Sequence, residues 1–228
     1  MDRFLIDLIL LPFSFAYIFI LLKIASNFKK TGRMSGPTTR KFIHVTVGLI
    51  VIGMPLMFSK KLVPVFIAII FILINFITSP ASPIKRLQID STREGHSFGT
   101  TYYAISLTSL LLFYFDTPWI LQVGFLPLVI GDAAAAYFGS KYGKHPWKYF
   151  NDKSIEGSIF AYLSTFIILG LVLTSYKLID LFDFSYLFLL GLILSISMIT
   201  TVVEIISSKG LDNITIPLFC TIFALLIS

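Results

Sequence analysis

The sequence predicts an all-α membrane protein, a polytopic bundle of about eight transmembrane helices that forms one domain over residues 1–228. Only 13% of the 228 residues are charged and 56% are hydrophobic, whereas an ordinary soluble domain carries about 25% charged residues. The apolar residues also fall in long blocks that are nearly free of charge. Each block approaches the ~17–25 residues that a spanning helix needs, so a soluble core is a poor interpretation.

The lengths and hydropathy of these blocks place the spans. The predicted spans cover residues 4–23, 41–58, 62–78, 100–115, 118–139, 157–175, 184–206 and 212–228. The first block has no clear small-x-small cleavage site and is followed by more spans, so we interpret it as a retained helix. The single cysteine, Cys220, excludes an internal disulfide.

The distribution of basic residues predicts the orientation. Of the 18 lysines and arginines, 14 lie in the segments 23–41, 79–99, 140–156 and 207–211, which alternate with the spans on one side. Cytoplasmic loops carry an excess of such residues, which puts these segments in the cytoplasm and both termini outside. The net charge of +6 partly reflects this bias, and nothing in the sequence indicates nucleic-acid binding.

The most informative stretch is residues 131–157, GDAAAAYFGSKYGKHPWKYFNDKSIEG. Asp132 falls inside the predicted fifth span, where a lone carboxylate is costly unless it is paired or binds a cation. Gly131, Ala135 and Gly139 form a small-residue seam that allows another helix to approach, within this chain or from a second copy. Asp132 is therefore expected to face the bundle, either binding Mg²⁺ for a nucleotide or forming a structural salt bridge.

The loop after this helix carries the parts of a phosphate site. Its candidate phosphate-binding residues are Gly143, Lys144, Lys153, Ser154 and Gly157. The order is not that of a P-loop, but glycine backbone donors, lysine charges and a hydroxyl are the groups that cradle phosphate. Lys153 and Glu156 are also candidate catalytic residues. The alternative is an ordinary solvated, charged loop.

Two further segments on the predicted cytoplasmic side carry candidate site residues. For each of them a structural role is about as plausible as a functional one. Arg40 and Lys41 are either phosphate ligands or positive-inside anchors, and Arg40 and His44 share one helix face. His44 lies about one turn deeper, where an ionisable group is costly and often functional; it is a candidate catalytic residue. Glu94 precedes the fourth span, in a stretch that could equally cap that helix.

The last cluster lies between the seventh and eighth predicted spans. Asp212 and Asn213 open the eighth span, and both residue types are good helix N-caps. Glu204 lies inside the preceding helix, and capping does not explain it. Glu204, Asp212 and Asp132 are therefore candidate ligands of one metal ion, with Asn213 as a candidate nucleotide contact.

Three groups of motifs together resemble the polyprenol kinase family, which includes dolichol kinase and phytol kinase. They are RKFIHVTVGL, then GDAAAAYFGSKYGK with KSIEGS, then EIISSKGLDN with ITIPL, in this order over residues 36–217. The resemblance implies a membrane kinase that transfers the terminal phosphate of CTP to an isoprenoid alcohol, using Mg²⁺. Phytol, geranylgeraniol, farnesol and longer polyprenols such as dolichol are the implied acceptors.

The implied mechanism assigns roles to the motif residues. CTP would dock from the cytoplasm onto Lys144 and Lys153, while Asp132 holds Mg²⁺ with help from Glu204 or Asp212. The base for the alcohol proton could be Asp132, Glu156 or His44. The alcohol would lie between helices, with its hydroxyl at the interface.

Two alternatives accompany this interpretation. Phosphatidate cytidylyltransferases are similar in the same central stretch, but they carry paired lysines where this chain has Asp152–Lys153 and a histidine-glycine signature where it has Gly210–Asn213. A transporter would place polar residues near mid-membrane and show an inverted repeat, and neither is visible. The oligomeric state stays open.

Overall fold

The computed structural model describes residues 3–79, 82–84, 98–208 and 210–227, and helices fill most of these ranges. The chain divides into two units, Met1–Asp116 and Thr117–Ser228. The first contains α1 (Arg3–Lys30), α2 (Gly36–Gly48), α3 (Met54–Met57), α4 (Leu62–Thr78) and α5 (Gly99–Tyr114), with a 3-10 turn at Leu49–Ile52. The prediction of a single domain stays a prediction.

The second unit contains five helices and one small hairpin within the part that the structure describes. The helices are α6 (Pro118–Leu126), α7 (Ala133–Tyr142), α8 (Ile155–Leu178), α9 (Tyr186–Ile206) and α10 (Asp212–Ile227). A π-helical segment, Pro127–Asp132, joins α6 to α7. Strands β1 (Pro146–Trp147) and β2 (Phe150–Ser154) pair antiparallel between α7 and α8.

Within the part of the chain that the structure describes, four helical stretches are long and apolar enough to cross a membrane. They are Leu5–Lys30, Pro118–Tyr142, Ile155–Leu178 and Tyr186–Ile206, and two shorter apolar helices cover Leu62–Thr78 and Asp212–Ile227. The prediction of an all-α membrane protein is confirmed at this level. The count of eight spans and the side of the termini stay predictions.

The predicted second span, residues 41–58, is not one continuous helix. α2 begins earlier, at Gly36, because Ser35 caps it: the Ser35 hydroxyl accepts a hydrogen bond from the Thr38 amide at 3.3 Å. α2 ends at Gly48 and is followed by a 3-10 turn. The next helix is short and has Pro55 in its first turn, where the missing N–H of proline costs least. A span-length apolar pattern thus contains a helix break.

A buried carboxylate holds the start of α1 within the first unit. The Asp7 side chain accepts hydrogen bonds from the amide and the hydroxyl of Ser59, at 2.8 and 2.6 Å. Asp7 is fully enclosed, and burying a carboxylate is costly unless hydrogen bonds compensate for lost water. These two bonds therefore fix the start of α1 against the turn before α4, and α4 in turn packs against α5.

The stretch Pro118–Tyr142 is the central element of the second unit. Its span-length window is 83% buried, against 39% for Ile155–Leu178 and 44% for Tyr186–Ile206. Leu121, Phe125 and Leu128 are fully enclosed, whereas Tyr137 and Tyr142 near its end are 44% and 48% exposed. Because protein surrounds residues 119–135 almost completely, a polar side chain there, such as Asp132, is shielded from lipid.

The small-residue seam lies against α8; its spacing predicted a neighbouring helix, either within the chain or from a second copy. A methyl group on Gly131 would contact Thr165 on α8 and lie 3.1 Å from Thr200 on α9. A methyl group on Gly157 would lie 3.0 Å from the Ala135 carbonyl and 3.3 Å from Gly139. Close approach between backbones requires glycine at these contacts. The seam therefore serves packing within the chain.

Candidate active site

Asp132 ends the π-helical segment and is buried, with 2% of its surface exposed. Pro127, at the start of this segment, has no N–H to donate to the preceding turn, which favours a local departure from the α pattern. π turns are rare and often mark functional sites. The burial agrees with the expectation that Asp132 faces the bundle.

Lys153 and Glu204 form an ion pair at the centre of the site. Lys153 lies on β2, and its ammonium donates a hydrogen bond to Glu204 near the end of α9. The Lys153 side chain is 19% exposed and that of Glu204 only 4%. A carboxylate buried this deeply is expensive without a cation, so the hairpin supplies the charge that α9 requires.

The pKa of Lys153 shows which other charges are close. Burial lowers this pKa, but the charge and hydrogen bond of Glu204 raise it, and the charges of Asp132 and Asp212 add to the rise. The net result is a pKa above the ordinary lysine value. Lys153 therefore stays protonated at neutral pH. The predicted metal ligands, from three separate elements, all lie within electrostatic range of this one ammonium.

Asp212 is held by its neighbour at the start of α10. Its carboxylate accepts hydrogen bonds from the Asn213 amide at 2.9 Å and from Asn213 Nδ2 at 2.7 Å. Asn213 Nδ2 also donates to the carbonyl of Gly210, which has a positive φ of 91°. In this structure Asn213 orients Asp212; its predicted contact with a nucleotide stays a prediction.

Ser154 and its surrounding glycines make the tightest contact between α7 and α8. Ser154 caps α8, accepting a hydrogen bond from the Gly157 amide at 3.1 Å. A methyl group on Gly143 would lie 2.8 Å from the Ser154 hydroxyl, closer than packing allows. Packing alone thus explains glycine at Gly143 and Gly157. Their predicted phosphate contacts, and that of the exposed Lys144, stay predictions.

Glu156 contacts His145, a residue that the sequence analysis did not single out. His145 Nδ1 lies 2.6 Å from Glu156 Oε1, and the His145 amide donates to Oε2 at 3.3 Å. Trp147, also overlooked, donates from Nε1 to the Ser158 hydroxyl at 3.0 Å. Both contacts attach the hairpin to the first turns of α8. Both residues could have been chosen from the sequence, since His145 and Trp147 lie inside the motif stretch 131–157.

Three predicted site residues belong to the first unit. Arg40, Lys41 and His44 all lie on α2 and are half-buried. The His44 ring lies 4.0 Å from the Tyr103 ring, and the Tyr103 hydroxyl donates to the His44 carbonyl at 2.8 Å. Tyr103 on α5 therefore fixes the place of His44. Glu94 lies outside the described residues.

The three carboxylates near Lys153 could hold a divalent metal only together with oxygens from water or a substrate. No group of three His, Cys, Asp or Glu side chains forms a ready-made metal cage in the described ranges. Mg²⁺, however, usually takes one or two protein carboxylates and fills its other positions with water and substrate phosphates. Asp132, Glu204 and Asp212 supply hard oxygen donors of that kind, all three buried.

The chain is similar to curated proteins named phytol kinase and dolichol kinase. It is 31% identical over 132 residues to a phytol kinase of Synechocystis sp., covering 57% of this chain and 54% of that protein. It is 30% identical over 205 residues to probable phytol kinase 1 of Oryza sativa subsp. japonica, covering 83% and 64%. Dolichol kinase of Saccharomyces cerevisiae is 29% identical over 223 residues, covering 92% and 40%.

These matches extend over most of this chain but only part of the relatives. The chain spans between about half and two thirds of the length of the two phytol kinases. No family model matches the chain, and no solved structure gives a significant match. The resemblance seen in the motifs is confirmed, and the chain is a homologue of phytol kinase and dolichol kinase, members of the polyprenol kinase family.

Proposed function

We propose that the chain is a CTP-dependent isoprenoid-alcohol kinase. Its acceptor is the hydroxyl of phytol, geranylgeraniol, farnesol or a longer polyprenol, and its donor is the terminal phosphate of CTP. The names of the curated relatives support a kinase acting on such an alcohol. The observation that carries the proposal is the buried cluster of Lys153 with Glu204, Asp132 and Asp212 in a helical membrane protein.

Lys153 is the residue proposed to neutralise phosphate charge. Phosphoryl transfer depends mainly on positioning and on stabilising the charge of the transferred group. A lysine whose pKa is raised by acidic neighbours keeps its charge at neutral pH. The Glu204 contact also restricts the ammonium to one place, so less side-chain freedom is lost when a phosphate binds.

Mg²⁺ is the proposed cofactor, and the donor set fits it. Lys153 and the three carboxylates Asp132, Glu204 and Asp212 carry a formal charge of −2 between them, which favours a divalent cation. When bound, the ion supplies charge neutralisation at the nucleotide phosphates. The chain's own contribution is to hold these carboxylates in place. Asn213 does so for Asp212 through two hydrogen bonds.

The proposed site faces the cytoplasm in a chain of about eight spans with both termini outside. The basic segments support this orientation, since 14 of the 18 lysines and arginines lie on the side that also carries the motifs. CTP would then enter from the cytoplasm, and the alcohol would come from the bilayer. The membrane is therefore the source of one substrate.

The decisive experiment measures whether the γ-phosphate or the α-phosphate of CTP is transferred to a lipid. Membranes carrying the protein receive Mg²⁺, isoprenoid alcohols or phosphatidate, and CTP labelled at the γ- or the α-phosphate. Transfer of γ-label to an alcohol by the wild type, and its loss in Lys153→Met, is the expected result. Transfer of α-label into lipid would instead identify a cytidylyltransferase. Transfer of neither label, across several nucleotides and alcohols, would contradict both enzymes and favour transport.

A further inference from the structure

An apolar groove lies beside the hairpin, between the first turns of α8 and the last turns of α9. Its volume is about 270 Å³, and its walls include Trp147, Ile155, Ile159, Tyr162, Leu163 and Thr201. Ile159 and Leu163 are about half exposed. Since α8 and α9 are both span-length helices, the open side of the groove faces the hydrocarbon of a bilayer in the proposed arrangement.

The groove begins close, along the chain, to two residues of the charged cluster. Ile155, at one end of the groove, follows Lys153 by two residues. Thr201 on α9 is three residues before Glu204, and residues with this spacing lie on one face of a helix. From Ile155 to Leu163 the groove extends about 12 Å along α8, at about 1.5 Å per residue. The end of the groove at Ile155 is therefore the end nearer the Lys153–Glu204 pair, and the groove extends from there along the apolar helix α8.

The end of the groove near the hairpin is fixed by a hydrogen bond. Trp147 Nε1 donates to the Ser158 hydroxyl at 3.0 Å, and that hydroxyl donates to the Ser154 carbonyl at 3.1 Å. The indole ring is thus held as a wall, with its polar edge toward the start of α8. Tryptophan commonly takes this place where membrane meets water, because one end of it is apolar and the other polar.

We propose that this groove holds the first isoprene units of the acceptor alcohol, those next to its hydroxyl. The inference rests on the proposed function and names where the substrate lies. An amphiphile with its chain in the groove presents its head at the Lys153–Glu204 end. A volume of 270 Å³ accommodates about nine groups of the size of a water molecule, at about 30 Å³ each, or close to two isoprene units.

The size of the groove limits what it can recognise. Units beyond the first two leave the groove and lie among the bilayer lipids, since the side chains beyond it on α8, such as Ile167 at 58% exposed, face outward. Hydrocarbon there contacts protein on one side only, as ordinary lipid does. The groove therefore selects the hydroxyl end of the chain and does not measure its length. Substitutions in it should affect short and long isoprenoid alcohols to the same degree.

The kinetic test introduces bulky side chains into the groove. Ile159→Trp and Leu163→Trp are expected to raise the KM for geraniol, farnesol and phytol by about tenfold each, an effect of the size that pocket shape produces, with the KM for CTP unchanged. The matched control is Leu171→Trp, on the same face of α8 and outside the groove, which should leave all KM values unchanged. Equal KM values in groove variants and control, or a change confined to the longest alcohol, would overturn the inference.

A binding measurement separates this inference from the proposed function. Photoreactive farnesol is crosslinked to the full chain in vesicles without nucleotide, and labelled peptides are mapped. Label at Ile155–Leu163, competed by unlabelled farnesol, is the expected result. Label spread evenly along α8, Leu171 included, would overturn the groove even if γ-phosphate transfer is observed. Groove labelling in a chain that transfers no phosphate would instead contradict the proposed kinase while upholding the binding site.

Discussion

Lys153 is the single residue on which the candidate site depends most. Its ammonium compensates a carboxylate that is almost fully buried, and three carboxylates from separate elements raise its pKa. A residue placed this way serves stability and chemistry at once. Substitution alone cannot separate these contributions unless its partner is changed too.

We expect Lys153→Met to reduce phosphate transfer by at least about 100-fold, the usual effect of removing one fixed charge-stabilising donor. It should also lower the free energy of unfolding by about 3 kcal/mol, because Glu204 is left buried without the Lys153 ammonium. The double variant Lys153→Met/Glu204→Gln should recover part of that stability and none of the activity. Lys148→Met, on the same hairpin but exposed, is the control. Recovery of activity in the double variant would show that Lys153 is only structural.

The pH dependence of stability follows from the same pair. The pKa of folded Lys153 is raised above its ordinary value of 10.5, so its contribution is complete below that value and is lost as pH rises through the folded pKa. Thermal unfolding of the wild type and of Lys153→Met/Glu204→Gln, compared across pH, should therefore give a constant difference in the neutral range. The difference should shrink only in strongly alkaline solution. A loss of the difference near neutral pH would contradict the assignment.

Asp132→Asn keeps the size of the side chain and removes its charge. We expect it to reduce turnover by about a thousandfold or more, as for loss of a charge-positioning group in phosphoryl transfer, with little change in the unfolding temperature. Circular dichroism during heating measures the fold, and γ-label transfer measures the activity. Near-normal turnover in this variant would remove Asp132 from the site and return it to a structural role.

At the scale of elements, the contact of α7 with α8 determines where Lys153 lies. Ser154 follows Lys153 directly and caps α8 while packing against glycines on both helices. His145 and Trp147 attach the other strand of the hairpin to the same helix. These bonds join the hairpin to α8, and the Lys153–Glu204 pair joins it to α9. A displacement of α8 would therefore move the ammonium.

Gly157→Ala tests this contact, and Gly170→Ala is its matched control on the same helix. The added methyl at Gly157 would lie 3.0 Å from the Ala135 carbonyl, whereas at Gly170 no atom lies within 4 Å. We expect a loss of about 1–3 kcal/mol at Gly157 from overpacking, together with reduced activity. At Gly170 the better helix propensity of alanine should stabilise by up to about 1 kcal/mol. Equal effects at both positions would refute close packing as the reason for Gly157.

Sequence patterns anticipated some elements well and others poorly. The predicted span 62–78 coincides with α4, because an uninterrupted apolar block leaves few alternatives. The span 41–58 was wrong as one helix, since glycines and Pro55 interrupt a pattern that hydropathy averages over. The hairpin was not predicted, because strands of two and five residues are too short to show a periodicity.

The site was also predicted only in part. Features that depend on neighbouring residues could be predicted from the sequence, whereas contacts between distant residues could not. Burial of Asp132 followed from its place in an apolar block beside small residues. The pairing of Lys153 with Glu204 joins residues 51 positions apart, and one sequence contains no signal for such a contact. His145 was visible in the motif but had no identifiable partner until the hairpin placed it beside Glu156.

At the scale of the whole molecule, the proposed orientation can be measured with single cysteines. Native Cys220 is buried, so it should react little with a maleimide that cannot cross membranes. A cysteine replacing Lys148 on the hairpin should react only after cells are opened, and one replacing the exposed Asp183 should react in intact cells. The reverse pattern would place the motifs on the outer side and contradict a cytoplasmic site.

The π-helical segment that ends at Asp132 also has an angular consequence. Its wider turns add a residue relative to an α-helix, and each residue of an α-helix accounts for about 100° of rotation. If the segment Pro127–Asp132 closed into a regular α-helix with all its residues kept, the chain on one side of it would turn by about 100° relative to the other side. The Asp132 carboxylate and the glycine seam would then no longer both keep their directions, so closing the wide turn would misalign the site without removing any of its charges.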